Sequence, residues 1–296
     1  MSITKTSVSP FIIGAMRLGS WGQQFSMSQM ESFVKDCLDL ELIDFDHADI
    51  YGDYGTEEDF GAIFQDNPSL RQRMRLITKC GIKMVASTRP DHAIKSYDST
   101  PGHIQKSVET SLQNLKTDYL DLLLLHRPDY LMDPEPVAEV FAQLKKEGKV
   151  LSFGVSNFST SQFDLLNNAT PLITNQVEIS IQQRSAFDDG VLDQCLRQGV
   201  IPMAWSPIGG GALFQTPKTE EVRHLQDTAT KLAEKYNCAM DQLILAWLRK
   251  HPAGIIPVLG TSKISRISAA KEAMKVTLSH EDWYALWQAA TGEEIA

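Results

Sequence analysis

The stretch "YLDLLLLH", residues 119–126, decides the fold. Its run of leucines leaves no polar face, so a strand over Leu120–Leu125 is covered on both sides. A sheet buried on both faces is a parallel sheet flanked by helices. Working outward, further short apolar runs fall at Phe11–Ala15, Leu42–Asp46, Arg75–Lys79, Ser152–Val155, Ile173–Val177, Ile201–Trp205 and Ile255–Val258. Amphipathic, helix-period stretches lie between them: Ser28–Leu40, Thr56–Phe64, Pro101–Leu115, Pro134–Lys146, Ser159–Leu166, Val191–Arg197 and two within Glu220–Lys250. Ile264–Met274 and Glu281–Ala290 add further helices at the C-terminal end. Pro101 suits a first helical turn, and Gly148 and Gly199 suit left-handed helix ends.

Repeated strand-helix units with a doubly covered sheet leave two architectures, an open doubly wound sheet or a closed (β/α)8 barrel. Eight strands favour the barrel, and no Gly-x-Gly-x-x-Gly turn follows the first strand. No break in composition divides the chain. The expectation is one α/β (TIM) barrel domain over residues 1–296, with extra C-terminal helices.

Composition narrows the function. The 296 residues carry a formal net charge of −9, without the basic face that nucleic-acid binding needs. No run of about 18 apolar residues is present to span a membrane. "MSITKTSVSP" lacks the apolar core of a signal peptide, and Cys37, Cys80, Cys195 and Cys238 show neither zinc-ligand nor disulfide spacing. A reduced, cytoplasmic protein is expected; its oligomeric state is left open.

In such barrels the chemistry sits at the C-terminal strand ends. Those ends carry Asp46 and Tyr51 (in "IDFDHADIYGDYG", residues 43–55), Lys79, His126, Ser156 with Asn157, Gln176, and Trp205 with Ser206. Free tyrosine, with a pKa of about 10, relays protons poorly at neutral pH. A neighbouring ammonium would lower that value, and a carboxylate would hold the ammonium in place. A histidine with one N–H turned inward could orient a carbonyl. The set suits protonation of an oxygen that is gaining charge, as carbonyl reduction by hydride requires. The hydride must come from a cofactor.

The segments "DHADIYG", "ITKCG", "LLLLHRPD", "GKVLSFGVSNF", "TNQVEIS" and "MAWSPIGGGALF", in order along nearly the whole chain, resemble the strand-end motifs of the aldo-keto reductase superfamily. The nearest branch in resemblance is that of the bacterial YdhF-like oxidoreductases. The resemblance implies a catalytic tetrad of Asp46, Tyr51, Lys79 and His126, with NADPH as cofactor and a small-molecule carbonyl as substrate. It further implies Ser156, Asn157 and Gln176 on the carboxamide and Trp205 stacked on the nicotinamide. Ser206, Pro207, Ile208, Gly209, Gly210 and Gly211 would run beside the pyrophosphate. Gly260, Thr261, Ser262, Lys263 and Arg266 would hold the adenosine phosphate. Two departures stand out: Ala269 and Ala270 replace an adenine-gripping Glu-Asn pair, and the sequence ends soon after its last helix, which implies an open pocket. Trp21, Tyr54, Tyr97 and Tyr130, with His92, are the candidate pocket walls.

Other readings of these residues remain. Asp46, His47, Asp49 and His126 could ligate a metal, but their spacing matches no metallohydrolase motif, and no metal is expected. Lys79 could form a Schiff base, as in barrel aldolases. A cofactor-binding regulatory protein with little turnover would share the fold.

Overall fold

The protein is described here by a computed structural model covering residues 3–4 and 7–295. Part of the N-terminal stretch read above for a leader (residues 1, 2, 5 and 6) and the last residue of the expected 1–296 domain lie outside these described residues. Eight parallel strands close into a barrel: β1 (Ile12–Gly14), β2 (Asp44–Asp46), β3 (Arg75–Cys80), β6 (Leu122–Leu125), β7 (Phe153–Ser156), β8 (Thr174–Glu178), β9 (Ile201–Trp205) and β10 (Ile256–Leu259), which returns to β1. They match the expected strands to within a residue or two. A small antiparallel hairpin of β4 (Ile82–Lys83) and β5 (Ser96–Tyr97) rises beyond β3. No helix among the described residues is long and apolar enough to cross a membrane.

The leucine run shows why both faces of the sheet are apolar. Leu122 and Leu124 point into the barrel, where they meet Ile12, Ile77, Ile201, Met203 and Val258. Leu123 and Leu125 point outward into the larger cluster under the helices, with Val137, Val140 and Phe141 from the helix Pro134–Lys146. Side chains alternate along a strand, so the next inward position after each apolar rung lies at the C-terminal rim. Those positions include Lys79 after Ile77, His126 after Leu124 and Trp205 after Met203. The packed interior therefore sets the height of the site.

The helices start and stop largely as expected. Thr100 and Asp133 cap helices that carry Pro101 and Pro134 in their first turns, and Gly199 closes its helix at φ 71°. The helix expected over Thr56–Phe64 is instead broken at Ala62, whose N–H is shared between the carbonyls of Glu58 and Phe60. The helix His280–Thr291 docks through reciprocal bonds, Trp247 Nε1 to the Trp283 carbonyl at 3.0 Å and Trp283 Nε1 to the Trp247 carbonyl at 2.9 Å. The two indoles stack at 4.9 Å.

Asp121 is the one charge inside the apolar run, and it is buried with its partner Arg71. Its Oδ2 accepts from Arg71 Nη2 at 2.9 Å and from the Leu76 N–H of β3 at 2.9 Å, tying the approach to β6 onto β3. Removing one partner of a buried pair strands the other, at a cost of about 3–5 kcal/mol. Asp121→Ala should therefore lower the unfolding free energy in urea by about that amount; a loss below about 1 kcal/mol would show that the pair is dispensable.

Candidate active site

The centre of the site is the ammonium of Lys79, whose side chain is fully buried at the end of β3. A buried charge needs a complete set of partners, and three elements supply them. Lys79 Nζ donates to Asp46 Oδ2 on β2 at 2.7 Å, to the His47 carbonyl at 2.7 Å and to the Tyr51 Oη at 3.2 Å. Asp46 is held from its other oxygen by Gln176 Nε2 of β8 at 3.0 Å, across the barrel. Just behind, buried Glu57 accepts from Thr78 Oγ1 at 2.5 Å, anchoring the residue that precedes Lys79.

Tyr51 reaches this centre because the chain turns sharply after β2. Gly52, Asp53 and Tyr54 all take positive φ, at 59°, 55° and 71°. At Gly52 a Cβ would lie 2.4 Å from Thr56 Oγ1, so only glycine fits. The Tyr51 ring packs edge-on to His126 at 6.0 Å and lies 6.2 Å from Trp21.

The protonation states follow from burial and charge. Burial raises the Tyr51 phenol above its usual value, and this outweighs the opposing pull of the Lys79 ammonium. The expectation of a lowered phenol pKa is thus corrected for the protein without ligand: desolvation wins, and the phenol keeps its proton at neutral pH. Burial also disfavours the Lys79 charge, but Asp46 and Tyr51 together hold its pKa above the usual value. His126 is driven well below its usual value by burial and by the charges of Lys79, Arg127 and Lys95, so its imidazole is neutral. Among the described residues its Nδ1 is buried without a partner. A partnerless acceptor costs less than a partnerless N–H, which assigns the proton to Nε2. His47 is neutral too, pushed down to about 3 by burial and by Lys79. Its ring packs edge-on to Phe60 at 4.4 Å, and its contribution to the site is its backbone carbonyl. Among the described residues no three His, Cys, Asp or Glu side chains converge as metal ligands.

A cavity of about 620 Å³ runs from Asp46, Tyr51 and His126 to Lys263 and Arg266, a size typical of small-ligand sites. Every cofactor candidate named from the sequence lines it except Gly209, where a Cβ would lie 2.3 Å from Gln182 Oε1. Ser156 Oγ donates to the Gln176 carbonyl at 2.8 Å, and Asn157 Nδ2 donates to Ser156 Oγ at 2.7 Å. Trp205 Nε1 donates to Asn157 Oδ1 at 3.0 Å, which fixes the indole plane against the cavity. Gly210 and Gly211, at φ 63° and 86°, leave open space where side chains would stand. A cavity with an aromatic plate, a bare glycine loop and two cations at its far end fits a dinucleotide. Ala270 lines that far end, beside Asp241 and Leu245 of the helix Met240–Arg249.

The substrate-wall expectations need correction. Trp21 lines the cavity, but Tyr54, Tyr97 and Tyr130 do not. The Tyr54 hydroxyl accepts from the Met84 N–H at 2.8 Å, and its ring carries the Arg89 guanidinium at 4.3 Å. It pins the segment after β4, together with His92, whose ring bonds the Met84 carbonyl at 2.9 Å. Tyr97 pairs with Ile82 and packs beneath Ala48 and Ile50. Tyr130 is 86% exposed. The reading from strand ends missed Met16, Arg17, Ile50, Ile82, Lys95 and Arg127, all on the cavity wall. Arg127 could have been found, since it directly follows His126; Lys95 sits in an aperiodic loop that carries no signal.

The match to the Aldo/keto reductase family covers residues 10–290. The chain belongs to that family. It is 43% identical to the oxidoreductase YdhF of Escherichia coli over 97% of its own length and 95% of that protein. It is 38% identical to a 6-dehydroglucose reductase of Agrobacterium fabrum, over 99% and 97%. The aldo/keto reductase from Klebsiella pneumoniae, solved in complex with NADP and acetate, superposes with a TM-score of 0.75 at 24% identity, covering 94% and 90% of the two chains. This enzyme is thus an oxidoreductase of the aldo-keto reductase type, close to the YdhF-like branch.

These protonation states set a pH dependence. The acid form of Tyr51 is lost only as pH rises through a phenol pKa raised above about 10. Neutral His126 does not titrate in the working range. Carbonyl reduction should show a kcat/KM that is flat from about pH 6 to 8.5. A limb with an apparent pKa of about 6.5 that vanishes in His126→Gln would contradict the neutral imidazole.

Proposed function

We propose that this protein is an NADPH-dependent reductase that converts an aldehyde or ketone to an alcohol, with Tyr51 as the general acid. The observation that carries this reading is the contact of the Tyr51 hydroxyl with the buried, carboxylate-held Lys79 ammonium, at the mouth of a dinucleotide-sized cavity. NADPH supplies the hydride when bound. Ser156, Asn157 and the Gln176 side chain hold its carboxamide, and Trp205 offers its ring face to the nicotinamide. The Ser206–Gly211 backbone accommodates the pyrophosphate, and Lys263 and Arg266 neutralise the adenosine phosphate.

The chain's own residues then manage the oxygen. His126 donates from Nε2 to the substrate carbonyl and turns it toward Tyr51. The phenol gives up its proton as charge develops on that oxygen. Lys79, already within bonding distance, stabilises the phenolate left behind, and Asp46 and Gln176 keep the ammonium from following its charge elsewhere. A Schiff-base role for Lys79 fits poorly, because a buried ammonium with three acceptors and a raised pKa offers no free amine. Scattered cysteines without disulfide spacing support a reducing, cytoplasmic setting.

Tyr51→Phe tests the reading because it removes one oxygen and keeps the ring. General acid catalysis contributes about 10²–10⁴-fold, so kcat for a reactive aldehyde should fall by about that factor. NADPH affinity, read by fluorescence quenching, should stay within a few-fold. A near-normal kcat would remove Tyr51 from the mechanism.

A further inference from the structure

The cavity has a charge pattern that cofactor binding does not account for. Five cationic side chains line it (Arg17, Lys95, Arg127, Lys263 and Arg266) against two acidic ones, Asp46 and Asp241, in a chain whose net charge is −9. Lys263 and Arg266 stand at the adenosine end, as argued above. Asp46 is already engaged by Lys79 and Gln176, and Asp241 accepts from the neighbouring Gln242 N–H. The other three cations belong to the rim of the reacting end. Arg17 follows β1, Lys95 precedes β5, and Arg127 follows His126 directly. No salt bridge among the described residues engages any of the three.

Arg127 fixes where this charge acts. Its guanidinium lies 5.7 Å from the centre of the Trp205 ring, the plate assigned to the nicotinamide, and so stands by the reacting carbon rather than the phosphates. The charges of Arg127 and Lys95 are felt at His126, and that of Arg127 at Tyr51 as well. The same cavity is also lined by the apolar side chains of Trp21, Ile50 and Ile82. A neutral polyol would need acceptors as well as donors from such a wall, and every free charge at this end is a donor.

Resting on the reductase reading, we infer that the substrate is a carbonyl compound with an anionic group, a carboxylate or phosphate, held by Arg127 and Lys95 a few bonds from the reacting carbon. Guanidinium and ammonium groups bind such oxyanions through charge-assisted bonds. Arg17 completes the positive rim, and the apolar wall takes the carbon chain between the two ends.

The test compares matched aldehydes with the holoenzyme: 4-carboxybenzaldehyde against methyl 4-formylbenzoate, and glyceraldehyde 3-phosphate against glyceraldehyde. In at least one pair kcat/KM should favour the anion by about tenfold or more, through KM, and the pair that responds tells carboxylate from phosphate. That preference should shrink between about 0.05 and 0.5 M salt. It should fall toward unity in Arg127→Gln and Lys95→Gln. Ratios near or below one in both pairs would overturn the inference while leaving the reductase reading intact. So would a preference that survives both substitutions, or an Arg127→Gln variant that loses NADPH affinity with its substrate ratio unchanged. Failure to reduce any of the four aldehydes would overturn the reductase reading and this inference together.

Discussion

An ammonium with no exposure to water is the constraint around which this protein is organised. Lys79 is stable there only while Asp46, the His47 carbonyl and the Tyr51 hydroxyl all face it. Satisfying it therefore draws together the end of β3, the end of β2 and the left-handed turn that follows β2. Gln176 extends the same network across the barrel to β8. One buried charge thereby sets the distance from the Tyr51 hydroxyl to the ammonium, at 3.2 Å. The phenol remains protonated in the resting protein because burial outweighs the ammonium. An acid that holds its proton until an oxyanion forms beside it is suited to reduction.

The packed interior provides the floor on which this network rests. Ile77, Leu124 and Met203 are the last apolar rungs beneath Lys79, His126 and Trp205. Parallel registers such as Lys79 opposite Leu124 keep these strand ends level. Gly154 belongs to the same economy of space: a Cβ there would lie 2.5 Å from Thr174 Cγ2 and 2.8 Å from Leu124 Cδ2. The apolar residues of the barrel thus act on function through height and alignment, without touching the reacting atoms.

Much of this was legible in the sequence, for identifiable reasons. Runs such as Leu122–Leu125 announce a doubly buried strand, and period-2 alternation then places the rim residues without a structure. Resemblance to the family supplied the roles of Tyr51, Lys79 and the glycine loop, which spacing alone leaves open. The aromatic walls were not legible. Tyr54, Tyr97 and Tyr130 follow strands in sequence, yet their directions depend on the positive φ at Tyr54, the β4–β5 hairpin and an outward-facing loop. None of those features has a period or a motif. The direction of the Tyr51 shift was missed for a related reason: adjacency to a lysine is visible in a motif, but the depth of burial is not. Arg127 and Lys95 were passed over because a charge in a loop is ordinarily solvated, and only the folded cavity gives them a shared surface.

The central claim is that the Lys79 charge, held by Asp46, makes Tyr51 an effective acid. Lys79→Met tests it most directly, since methionine fills similar space without the charge. With a neutral aldehyde and saturating NADPH, kcat measured beside circular dichroism and NADPH affinity should fall by about 10²–10⁴-fold, with the fold and the affinity retained. A folded Lys79→Met protein that binds NADPH and turns over at the unmodified rate would contradict the account.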